Sequence, residues 1–149
     1  MNGENVLIVD DDAEMGALLK DFLSKGGFVP EAVVSGRVAL QKVAETYYTV
    51  VITDIKMADM DGLEVLKRVR ELRPETAVIM ITAFGTIDLA VEAMRAGAFH
   101  FVTKPFKMKE ILAIVRKAVE HEGLKRENIM LRREVLDKYC FLPVKQKLF

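Results

Sequence analysis

Five residues of this 149-residue chain carry side chains that could do chemistry together: Asp10, Asp11, Asp54, Thr82 and Lys104. Asp10, Asp11 and Asp12 follow the apolar run Val6-Leu7-Ile8-Val9, which reads as a buried strand. Crowded carboxylates repel one another unless a cation or a proton relieves them. The triplet alone has two readings, a hard-metal site or an acidic helix cap, and Asp12 suits the cap because a helical pattern begins at 13. Asp54 ends a second β-branched run, Thr49-Val50-Val51-Ile52-Thr53. Thr82 ends Ala77-Val78-Ile79-Met80-Ile81, and Lys104 ends a run from Phe99. Taken singly, Thr82 is an ordinary strand residue and Lys104 a solvated lysine before a proline. At corresponding strand ends, the set suits phosphoryl transfer to a carboxylate. Asp10, Asp11 and Asp54 would offer oxygens to Mg²⁺, and Asp54 would be the nucleophile. Lys104 and Thr82 would pair with phosphoryl oxygens.

The elements that must position these groups alternate strand and helix. Strands are expected at 5–10, 29–34, 49–54, 77–82 and 99–104. Helices are expected at 13–24, 36–46, 62–72 and 86–96, with a further one after Pro105. Met15, Leu18, Leu19, Phe22 and Leu23 form the apolar stripe of the first, and Gly26-Gly27 stops it. The (βα)₅ order with short connections predicts an α/β fold: a doubly wound, five-stranded parallel sheet with an extended C-terminal helix. In such sheets, functional groups gather outside the carboxyl ends of the strands.

Composition excludes several classes. Lys+Arg and Asp+Glu balance at 22 each, so no basic excess drives direct nucleic-acid contact. A single cysteine, Cys140, precludes an internal disulfide and fits a reducing cytosol. The polar start lacks a signal peptide, and no apolar run nears the roughly 20 residues of a membrane span, so a cytoplasmic location is expected. His100 and His121 have no partner at metal-ligand spacing.

The chain resembles the receiver domain of bacterial two-component response regulators. The likeness covers residues 4–122 and rests on Val9-Asp10-Asp11, Asp54 with Met57 and Asp61-Gly62, Thr82-Ala83, and Lys104-Pro105-Phe106. It implies a CheY-like sheet, Asp54 as phosphoacceptor and a sensor histidine kinase as donor. It further implies Mg²⁺ at Asp10, Asp11, Asp54 and the Lys56 backbone carbonyl, and a cis Lys104–Pro105 bond. Thr82 and Phe101 would be the switch pair. Phe101 stands where many relatives carry tyrosine, and Ala58 where proline is usual. Without proline the loop beyond Asp54 is expected to be more mobile.

Ala83-Phe84-Gly85-Thr86, Ala90-Val91-Glu92-Ala93-Met94 and Gly97-Ala98-Phe99 are similar to NtrC-type receivers, which precede an AAA+ ATPase that activates sigma-N-dependent transcription. No ATPase phosphate loop occurs in this sequence. Beyond the receiver, 123–140 reads as a helical, coiled-coil linker and 141–149 as a disordered tail. Leu124, Asn128, Leu131 and Val135 fit an a/d seam of a homodimer, with Asn128 setting register. Their alternative is a solvated linker helix.

Two other functions share parts of this pattern. A stand-alone receiver would act through protein contacts or a phosphorelay. A haloacid-dehalogenase-type phosphohydrolase also forms an aspartyl phosphate, but Asp10-Asp11-Asp12-Ala13-Glu14 fails the last position of its D-x-D-x-[TV] motif and leaves Asp54 unexplained. The chain is therefore expected to be a signalling switch and not a turnover enzyme.

Overall fold

The computed structural model describes residues 3–83 and 85–121. Its strands are β1 (Asn5–Val9), β2 (Val29–Val33), β3 (Val50–Asp54), β4 (Ala77–Thr82) and β5 (His100–Thr103). Between them lie α1 (Ala13–Lys25), α2 (Gly36–Glu45), α3 (Gly62–Leu72) and α4 (Ile87–Arg95). The chain is helical again over 108–121, here α5. The strands pair in parallel in the order β2-β1-β3-β4-β5. This is the expected doubly wound arrangement, with element ends within a residue or two of the expected positions. The proposed seam of Leu124, Asn128, Leu131 and Val135, the linker and the tail all lie outside the described residues.

Side-chain alternation along each strand assigns the two faces. Leu7, Val9, Val51, Val78 and Met80 pack with Ala39 and Val43 of α2, Leu66 and Val69 of α3, and Ala93 of α4. Val6, Ile8, Val50, Ile52, Ile79 and Ile81 pack on the other face with Leu19 and Leu23 of α1 and Ile111, Val115 and Ala118 of α5. Both faces of the central strands are covered, which explains their unbroken apolar runs. β2 and β5 lie at the sheet edges and are only partly buried.

Local signals set the helix ends. Asp12 Oδ1 accepts from the amides of Glu14 (3.1 Å) and Met15 (3.4 Å), so the third acid of the triplet caps α1. Ser35, Asp61 and Thr86 cap α2, α3 and α4 in the same way. Gly62 opens α3 directly beneath β3: a Cβ there would overlap the Asp54 carbonyl oxygen, while its amide donates to Ile55 O at 2.8 Å. Only glycine permits that approach.

Candidate functional site

β1, β3 and β4 are neighbours, so their carboxyl ends open onto one rim. Asp10 directly follows β1, and its amide donates to Val33 O at 3.1 Å. Asp54 is the last residue of β3 and Thr82 the last of β4; both are buried. Lys104 directly follows β5, and its amide donates to Thr82 O at 2.8 Å, which fixes its backbone to the end of β4. The Lys104–Pro105 peptide bond is cis.

The side chains converge. Lys104 Nζ lies 2.9 Å from Asp54 Oδ2 and 3.5 Å from Asp10 Oδ2. Asp10, Asp11 and Asp54 each offer a carboxylate oxygen, and these three atoms lie within 4.8 Å of one another. Oxygens alone, in a compact set, suit a hard divalent cation that keeps some of its waters. Asp10 Oδ1 accepts from the Asp12 amide at 2.9 Å, and Asp54 Oδ1 from the Lys56 amide at 3.2 Å. These bonds hold the two carboxylates in place without consuming all their lone pairs.

Burial pushes the Asp10 carboxyl above the usual range, reinforced by the Asp54 charge and opposed by the Asp12 amide and Lys104. For Lys104, burial acts downward, but the bond to Asp54 and the charges of Asp10 and Asp54 together raise it. The ammonium is therefore firmly charged and stands where positive charge relieves the repulsion between the acids.

Phe101 lies on β5, half-buried, against the core formed by α2, α3 and α4. Sequence reasoning left His121 without a role; its ring packs on Phe99 with centroids 5.5 Å apart. It also missed two anchors of the loop after Asp54. The Ala58 amide donates to Asp11 Oδ2 at 3.2 Å, and Asp59 accepts three bonds from the start of α2. The expectation of a looser loop at Ala58 therefore meets a loop tied at two consecutive residues. Nothing local in the sequence signals either contact, since the partners lie 47 and 22–24 residues away.

Residues 6–116 match the response regulator receiver domain family. The chain belongs to this family. It is 38% identical over 122 residues to the regulatory protein AtoC of Escherichia coli (strain K12), covering 82% of this chain and 26% of that protein. Its fold superposes on the beryllofluoride-activated NtrC4 receiver domain dimer with a TM-score of 0.76 at 33% identity, covering 79% of this chain and 98% of that one. NtrX from Brucella abortus, in complex with ATP, gives a TM-score of 0.81 at 32% identity, covering 87% of this chain and 30% of NtrX. The receiver is of the NtrC type. The chain spans about a quarter of AtoC and under a third of NtrX. Receiver domains are signalling modules and not a catalytic enzyme family, which sets aside the phosphohydrolase alternative. Among the described residues no helix is long and apolar enough to cross a membrane.

Proposed function

We propose that this receiver takes a phosphoryl group onto Asp54 from a sensor histidine kinase and thereby switches a protein interface. The observation that carries the reading is the pairing of Asp54 and Asp10 with one ammonium, Lys104, beside the exposed Asp11. Asp54 Oδ would attack phosphorus, and the phosphorus–nitrogen bond of the phosphohistidine would break with its electron pair returning to the ring nitrogen. Lys104 would exchange its bond to Asp54 for one to a phosphoryl oxygen, and the Thr82 hydroxyl would donate to another. Asp10, Asp11, Asp54 and the Lys56 carbonyl would hold Mg²⁺, which when bound neutralises charge on the transferring group.

Thr82 and Phe101 form the switch in this reading. A phosphoryl group at the rim draws Thr82 inward, and Phe101 repacks behind it, biasing the surface of α4, β5 and α5 between two arrangements. In this reading the receiver comprises 4–122, and Leu124, Asn128, Leu131 and Val135, which lie outside the described residues, would serve as the seam between two copies. By analogy with its longer NtrC-type relatives, the cytoplasmic full-length protein carries an ATPase output domain that acts in transcription.

Incubating the protein with acetyl phosphate and Mg²⁺ and mapping the label by mass spectrometry tests the assignment. Asp54→Asn should abolish labelling while preserving the fold; full labelling of that variant refutes it. Scattering mass and shape with and without beryllofluoride test the switch, and identical curves would sink it.

A further inference from the structure

We infer that Ala58 and Asp59 position the cation ligand Asp11, an assignment that rests on the reading of Asp10, Asp11 and Asp54 as a Mg²⁺ site. Asp11 is exposed, so its carboxylate has no packed surroundings to hold one rotamer. Its Oδ2 instead accepts from the Ala58 amide at 3.2 Å. A carboxylate has about four lone-pair sites, so one such bond orients the group and leaves others open to a cation. Orientation before binding spares the entropy of ordering the side chain at the moment the ion arrives.

The Ala58 amide is useful only if it is itself held still. Asp59 supplies that hold. Its Oδ2 accepts from the Ser35 hydroxyl at 2.8 Å and the Arg37 amide at 3.1 Å, and its Oδ1 from the Gly36 amide at 3.2 Å. Two of these donors are amides that open α2, where the helix dipole favours negative charge. The Ser35 bond and these amides hold the Asp59 carboxyl below the usual range. Met57 and Met60, on either side of the pair, pack against the core, so the loop is pinned from within as well. The chain of contacts runs from α2 through Asp59 and Ala58 to Asp11. It makes both residues positioning residues, since each acts on the cation ligand through hydrogen bonds.

Two changes test this with Mg²⁺ alone as the probe, titrated at fixed pH and followed through NMR amide shifts. Ala58→Pro deletes the amide donor while stiffening the loop. Asp59→Ala frees the loop from α2. Both are expected to bind Mg²⁺ roughly two- to tenfold more weakly. Asp59→Asn, which keeps an acceptor oxygen for the α2 amides, should bind more tightly than Asp59→Ala. Unchanged or tighter binding by Ala58→Pro means that stiffness alone matters and overturns the inference. Unchanged binding by Asp59→Ala, or equal weakening by Asp59→Asn and Asp59→Ala, overturns the part given to Asp59. Failure of the unmodified protein to bind Mg²⁺ at all refutes the metal-site reading as well. Thermal melts of each variant separate unfolding from loss of ligand geometry.

Discussion

The central strands and the edge strands of the sheet do different work. β3 and β4 are buried along their whole length, and β1 is buried beyond its first residue. They deliver Asp10, Asp54 and Thr82 from a backbone with little freedom to shift. β5 lies at the sheet edge with its residues exposed or half-buried, and it delivers Lys104 and Phe101. In the proposed mechanism the carboxylates must stay fixed, while lysine exchanges partners and phenylalanine repacks. Apart from the Thr82 side chain, which shifts at the end of a buried strand, the division places the rigid part of the chemistry where packing is complete and the moving part where rearrangement costs least.

That contrast can be broken by mutation. Ile79→Ala, at a wholly buried site on β4, should lower unfolding free energy by roughly 2–5 kcal/mol in urea. Lys104→Met should cost about 1–3 kcal/mol without Mg²⁺, because Asp10 and Asp54 then face each other without their ammonium. Added Mg²⁺ should recover part of that loss, as binding to the folded state stabilises it. No recovery would mean that the acids do not share a cation site. Val102→Ala, on β5, should cost only about 1 kcal/mol. A loss equal to that of Ile79→Ala would erase the distinction between centre and edge.

The smallest effect belongs to the opposite edge, where Glu31 of β2 accepts from Tyr48 Oη at 2.7 Å and pairs with Lys42 at 2.6 Å. The Lys42 and Tyr48 bonds lower the Glu31 carboxyl. A depressed folded-state value stabilises above the unfolded value of about 4.3 and loses that contribution as pH falls through the folded value. The stability gap between the native protein and Glu31→Gln should therefore be full near neutrality and close in acid. A gap that widens in acid contradicts the assignment.

Much of the site was legible because strand ends are local features. An apolar run followed by an acid, or by a threonine or lysine, marks both the strand and the group it presents. Asp12 was separable from its neighbours because capping involves only the next three residues. The Ala58–Asp11 and Asp59–α2 contacts were not legible, so the expectation for the Ala58 loop was made without them. A missing proline says what the backbone is free to do; it does not say which acceptor its restored amide will find.

Which helices cover each face of the sheet came from the structure, whereas the order of elements, the apolar stripe of the first helix and the position of each acid at a strand end follow from the sequence alone. They depend on periodicities of two and 3.6 residues and on caps a few residues long. Only the tertiary structure decided that Lys104 Nζ reaches Asp54 and Asp10, and that Asp59 ties the loop to α2. Those meetings depend on the order β2-β1-β3-β4-β5, which brings chain ends together across long sequence separations. No local pattern encodes a distance between residues that far apart; it is set when both faces of the sheet are packed at once.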